Sequence, residues 1–354
     1  MRSVKQFFQA QGSLIFLIML GFVGPVLGQE EDGLEPKPVA TLLEPLDIHN
    51  RTNLTIVEQL RHNHYVKKEL NDDASSQIFE KYIETLDRGR AYFTAKDIGD
   101  FEAYRYQLDD ALKRGDLRPA FEIFNRYRSS VVGQFKFMVS EVNKGAGAID
   151  FTISEKIEID REALPWPNSD AERDAVWKKR LKASVLALKL SGKSIEEINE
   201  QLLKRYKNQL KQARQVKSED AFQVYMNSFA KSYDPHTQYF SPRTSENFNI
   251  NMSLSLEGIG AVLRNEEDQT SVVSLVPAGP ADKEGTLEPT NKIISVGQGK
   301  IGPLIDIVGW RLDDVVELIR GPKDSTVRLE IIQSESDVEI TKIISIVRNT
   351  VRLE

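Results

Sequence analysis

The chain has no cysteine in its 354 residues. That absence removes disulfides, thiolate metal sites and cysteine nucleophiles together. It suits a bacterial envelope protein working in an oxidising space, although many cytosolic proteins also lack cysteine. Basic surplus is missing too. The net charge is -6, whereas phosphate recognition needs a concentrated basic face, so no nucleic-acid partner is expected. There is no Gly-x-Ser-x-Gly elbow, no nucleotide-binding loop and no internal repeat, and Gly297-Gln298-Gly299 is an isolated turn signal. Histidine is scarce, and His62 and His64 stand two apart, which on a helix sends them to different sides. No clustered carboxylate completes a site around them, so neither a metal nor a cofactor is expected. His236 and the Lys182/Ser184 pair read as structural and surface groups respectively.

After the N-terminus, no stretch is long and apolar enough to span a bilayer. Arg2 and Lys5 precede an apolar run from Leu14 to Leu20 that continues through Phe22 and Val23 to Val26-Leu27-Gly28. This reads as a cleavable secretory signal over 1–28. The competing reading is a retained anchor, the chain's one route to a membrane. With no cysteine after the run, lipoprotein processing is excluded. Residues 29–48 are acidic and carry Pro36, Pro38 and Pro45, so an extended linker is expected.

Residues 49–235 carry a helical period. Ile78, Phe79, Tyr82, Ile83 and Leu86 fall on one face, and Phe101, Tyr104, Leu108 and Leu112 repeat the spacing. So do Phe121, Phe124, Tyr127 or Arg128, and Val131. Thr94 with Asp97, Ser169 with Glu172 and Ser194 with Glu197 have the form of capping boxes. Pro165-Trp166-Pro167 separates two helical stretches, and the helices expected over 171–190 and 195–213 present charged outer faces.

The period fades near Tyr233. Strands are expected at 253–256, 261–264, 271–276, 292–296, 327–332 and 340–347, with a helix at 311–319 and a helical turn after Pro280. This inventory suits a PDZ domain, but other small β-rich modules share it. Gly258-Ile259-Gly260-Ala261 before a strand can aim successive amides into one concavity that holds a terminal carboxylate. The strand through Val262 and Leu263 can then accept a peptide by β-augmentation. Taken alone, the Gly-x-Gly fits a tight turn equally well. Leu312, Val315, Val316 and Ile319 form one apolar helix face, which reads as core, as groove wall, or as both.

Three linked stretches make the chain resemble the tail-specific, or C-terminal processing, protease family. They are Asp234-Pro235-His236-Thr237 with Tyr239-Phe240-Ser241-Pro242-Arg243, Met252 to Val262, and Gly309 to Val316 followed by Ile319-Arg320-Gly321-Pro322-Lys323. Leu164-Pro165-Trp166-Pro167 extends the likeness upstream. The resemblance implies an α+β multidomain chain: an all-helical N-terminal domain (49–235), then a PDZ-like β-sandwich or barrel with two helices (236–335). Residues 336–354 would be the first strand of a protease core. It further implies a serine endopeptidase in the periplasm of a Gram-negative bacterium, acting on protein or peptide substrates with nonpolar free C-termini. Some relatives receive substrates from an adaptor. By carry-over, the amides of Ile259, Gly260 and Ala261 receive the carboxylate, Val315, Val316 and Ile319 border the last side chain, and binding repositions the PDZ domain.

Thr290-Asn291-Lys292-Ile293 departs from the family's Gly-Asp-Lys-Ile and puts the local turn in question. The family's serine nucleophile and lysine base lie beyond the PDZ domain, so a truncated chain without activity of its own is expected. A free-standing peptide-binding module is the alternative. The strand at 340–347 is expected to separate the two readings. In a complete binding module it pairs within the PDZ fold or is absent, in a truncated protease it is an orphan edge, and the excess strand favours truncation.

Overall fold

The computed structural model describes residues 42–266, 268–335 and 338–353, with side chains of 334–340 left aside. The segment read as a signal, and the linker up to residue 41, lie outside the described residues. Among the described residues no helix is long and apolar enough to cross a membrane.

Among the described residues eight α-helices build the first half: α1 (Asp47–Asn63), α2 (Asp72–Asp87), α3 (Ala95–Phe101), α4 (Leu108–Arg114), α5 (Arg118–Asn143), α6 (Asp170–Leu190), α7 (Ile195–Arg214) and α8 (Ser218–Ala230). The α2 stripe Ile78, Phe79, Tyr82, Ile83 and Leu86 is buried, and it joins Phe222, Tyr225, Met226 and Phe229 of α8 in one core. A second core gathers Phe135 and Met138 of α5 with Trp177 and Leu181 of α6 and Ile198 and Leu202 of α7. Each fully buried side chain of this size contributes about 1.5–3 kcal/mol, which is why the apolar period dictates these helices.

Thr94/Asp97 and Ser194/Glu197 are reciprocal capping boxes. At α6 the Ser169 hydroxyl accepts from the Glu172 amide at 3.2 Å, but the Glu172 carboxylate accepts from Asn168 instead of closing the box. The repeat from Phe101 to Leu112 is not one helix. A 3-10 turn (Glu102–Tyr104) follows α3, and the Ser75 hydroxyl donates to the Arg105 carbonyl and accepts from the Leu108 amide, restarting the chain as α4.

The β region opens with a helix that apolar periodicity did not foretell, α9 (Pro242–Ser253), capped by Ser241 and burying none of its residues. Then come β1 (Ser255–Gly258), β2 (Ala261–Glu266), β3 (Gln269–Leu275), α10 (Pro280–Glu284), β4 (Lys292–Gln298), β5 (Leu304–Asp306), α11 (Leu312–Ile319), β6 (Thr326–Glu335), β7 (Val338–Val347) and β8 (Asn349–Arg352). One sheet runs β2-β3-β4-β6-β7 with β5 beside β4, and β1 pairs separately with β8. Ile259, Val272, Ile293, Val296, Val315, Ile319, Leu329 and Ile344 share its core.

The strand at 340–347 is not an orphan. β7 pairs antiparallel with β6 from Val338 to Val347, with Ile344 and Ile346 in the core of the β module, so it belongs to this sheet. The difference has a physical cause. Burying those two isoleucines and pairing one side of the strand with β6 outweighs leaving it unpaired.

Arg348, between β7 and β8, is 2% exposed. Its Nε donates to the Ile319 carbonyl at 2.8 Å, and Nη2 donates to the Leu318 carbonyl at 3.0 Å and to Gln298 Oε1 at 2.7 Å. Nη1 donates to the Ser325 hydroxyl at 2.9 Å. The guanidinium thus satisfies the last carbonyls of α11, which no turn of helix follows. It lies against Gly321, where a Cβ would approach Cζ to 3.0 Å. Arg348→Met should lower the unfolding free energy of the β module by about 3 kcal/mol, read by denaturant titration, because several buried acceptors lose their donor.

The departure at Thr290 has a local cost. Its φ is 75°, a left-handed conformation that a β-branched residue rarely adopts. The turn is nevertheless held by Thr290 N–H to Val272 O at 2.8 Å and by the Asn291 side chain accepting from Glu288. Thr290→Gly should stabilise the protein by about 1 kcal/mol, measured as a raised melting temperature.

Candidate peptide groove

Among the described residues strand β2 hydrogen-bonds only to β3, which leaves its other edge open there, and α11 packs alongside it. Edge and helix bound a cavity of about 250 Å³ lined by Ile259, Gly260, Ala261, Val262, Leu263, Val276, Leu256, Val316, Ile319, Arg320 and Leu353. Arg320 is the only charged side chain on that wall.

The loop between β1 and β2 closes one end. Its carbonyls are engaged: Ile259 O accepts from Ala281 at 2.8 Å, and Gly260 O from Val276 at 2.8 Å. Among the described residues, neither the Ile259 nor the Gly260 amide donates to a loop backbone carbonyl. Gly260 has φ 74°, and a Cβ there would stand 3.4 Å from the Val351 methyls and 3.5 Å from Gly279 Cα. Glycine is therefore required both by conformation and by close packing.

The residues singled out from sequence divide. Ile259, Gly260, Ala261, Val262, Leu263, Val316 and Ile319 come together on the cavity wall. Gly258 ends β1 and pairs with Asn349 instead. Val315 is fully buried in the core, so it supports the groove from behind and is not part of its border. Leu312 lies one helical turn from Val316, in an adjoining crevice of about 400 Å³ that shares Val316 and Arg320 with the cavity and reaches Pro242, Arg243 and Asn247 of α9. Leu256, Val276, Arg320 and Leu353 were missed. Leu256 and Arg320 stood in quoted motifs, and no periodicity links Val276 and Leu353 to the loop. Arg320 also donates to Asn247 Oδ1 at 2.8 Å, tying α9 to the end of α11.

The other candidate groups are dispersed. Lys182 pairs with Glu155 at 2.6 Å, while the Ser184 hydroxyl donates to its own helix at Arg180 O. His64 meets the Thr237 hydroxyl at 2.9 Å, His62 meets Glu58, and His236 is exposed beside Asp234.

The start of α11 is held by charges from the start of α8 and from α9. Arg311 pairs with Asp220 at 2.6 Å. Asp314 pairs with Lys217 at 2.7 Å and with Arg243 at 2.8 Å, and Arg243 also reaches Glu317 at 3.2 Å. Burial pushes the Asp314 carboxyl up, but the hydrogen bonds and charges of Lys217 and Arg243 outweigh it and hold the group below its ordinary value. A carboxyl depressed in the folded state stabilises above its unfolded pKa, about 4, and loses that contribution as pH falls through the folded value. Asp314→Asn should therefore melt about 2–4 °C lower than the parent at pH 7, with the gap closing as pH drops below about 4.

An all-helical half joined to a β module with an open edge strand, a flanking helix and a glycine-bounded loop has the form of a PDZ module behind a helical domain. Residues 56–243 match the tail specific protease N-terminal domain, and 247–332 match the PDZ domain. The chain belongs to the tail-specific protease family. It is 40% identical over 297 residues to the tail-specific protease of Haemophilus influenzae, covering 84% of this chain and 42% of that protein. It is also 34% identical over 98 residues to a carboxy-terminal processing protease of Bacillus subtilis, covering 28% of this chain and 20% of that one. Among solved structures, the PDZ domain of a carboxy-terminal protease from Vibrio cholerae, in complex with peptide, is 47% identical. It covers 28% of this chain and 99% of that one, with a TM-score of 0.27. The chain thus spans less than half the length of these two protease relatives.

Proposed function

We propose that the PDZ unit captures free C-terminal ends of protein or peptide substrates whose last residues are nonpolar. It does so as the recognition part of a serine endopeptidase in the periplasm of a Gram-negative bacterium, a reading supported by the family match, while the pairing of 340–347 within the β module favours the second reading, a free-standing module that captures C-termini without cleavage. The observation that carries this is the loop at the closed end of the groove. The Ile259 and Gly260 carbonyls are engaged and their amides are not spent on the loop's own backbone, beside an apolar cavity at an open strand edge. A carboxylate accepting these amides and that of Ala261 forms charge-assisted hydrogen bonds, and Arg320 adds favourable charge nearby. The terminal side chain enters the cavity against Val316 and Ile319, while the upstream chain adds to β2. Export is supported by Arg2 and Lys5 before the apolar run from Leu14 to Leu20.

The test is fluorescence anisotropy of the full chain with a labelled peptide ending in nonpolar residues, against its C-terminally amidated twin. The free acid should bind at least about tenfold tighter, the equivalent of losing one or two charge-assisted hydrogen bonds. Equal affinities would refute the carboxylate loop.

A further inference from the structure

The outer face of β2 carries a run of three exposed side chains that differ in kind. Ala261 and Leu263 pack toward the core of the β module. Strand alternation therefore puts Val262, Arg264 and Glu266 on the opposite face. Val262 is 48% exposed, Arg264 61% and Glu266 51%. Arg264 Nη2 and Glu266 Oε1 stand 3.4 Å apart, and Glu266 also accepts from the Ser271 hydroxyl at 3.0 Å. An exposed pair of this kind is weak and readily exchanged for another partner.

The register of an added strand follows from the backbone. Val276 N–H bonds to Gly260 O, which makes Ala261 and Leu275 a pair that exchanges no hydrogen bonds, so Ala261 turns its backbone groups to the free edge. A ligand whose carboxylate sits on the loop amides then places its last residue opposite Ala261 and runs antiparallel along β2. Its next-to-last residue faces Val262, its fourth-from-last faces Arg264 and its sixth-from-last faces Glu266. Directly opposite side chains on one face stand close enough for charge to matter.

We propose that β2 reads charge in the upstream part of the ligand, with Arg264 selecting an acidic fourth-from-last residue and Glu266 a basic sixth-from-last residue. This rests on the groove reading given above. The substrate class is thereby narrowed from nonpolar tails to nonpolar tails preceded by an acidic, then a basic, residue at alternate positions. The bulge between Val262 and Leu263 lies between β2 and β3 and leaves the free edge to set the spacing.

The experiment compares two peptides of identical composition and net charge, both ending in the same three nonpolar residues with a free carboxylate. One has Glu fourth from last and Lys sixth from last, and the other has them exchanged. The first should bind the full chain about fivefold tighter in low salt, with the difference shrinking as salt rises. The doubly exchanged variant, Arg264→Glu with Glu266→Arg, should invert the order, and Arg264→Gln alone should flatten it. Equal binding of both peptides, with dependence on the free carboxylate retained, would overturn the charge register and leave the groove reading standing. Loss of carboxylate dependence would overturn both. Discrimination that survives the double exchange unchanged would overturn the assignment to Arg264 and Glu266.

Discussion

The groove depends on one buried guanidinium. Arg348 leaves the sheet between β7 and β8 and reaches the last carbonyls of α11, the Gln298 side chain of β4 and the loop at Ser325. Burial pushes its pKa down, so it is held by acceptor geometry at some electrostatic cost. The return is positional. The C-terminal end of α11, the turn at Gly321 and the start of β8 are fixed to one group, and β8 in turn pairs with β1, the strand that leads into the Ile259–Ala261 loop. A lysine could not serve, because only a planar fork reaches acceptors in several directions at once.

The same helix is held at its other end by a different kind of contact. Asp220, Lys217 and Arg243 grip Arg311 and Asp314 at the N-terminal turn of α11, in ion pairs that are partly solvent-exposed and therefore modest individually. One end of α11 is thus set by buried hydrogen bonds within the β module, and the other by screened charges from the start of α8 and from α9. α9 takes part through Arg243 and Asn247 although it buries none of its own residues.

Much of the architecture was legible in order. The stripe Ile78 to Leu86 became the buried face of α2, two of three capping boxes closed as written, and the helix after Trp310 formed within a residue of its expected start. The failures have physical causes. Phe101 to Leu112 kept a helical period across a chain bend because the Ser75 hydroxyl, from another helix, made a break as favourable as continuation. α9 has no apolar face to read. Val315 and Val316 are adjacent in sequence and alike in chemistry, yet one is buried behind the groove and the other lines it, a distinction set by how α11 is rotated against β2.

The sequence by itself determined most of the helices and strands, two of the three caps, and that glycine is needed at the loop. These follow from short-range periodicity and backbone sterics, which need only neighbouring residues. Tertiary structure alone decided which strand edge stays open, which apolar residues of α11 face the cavity, and that Arg348 is the donor to its end. It also brought Arg264 and Glu266 onto a free strand face beside the groove. Those outcomes depend on packing between segments far apart in the chain, where one buried acceptor or one rotated helix outweighs any local preference.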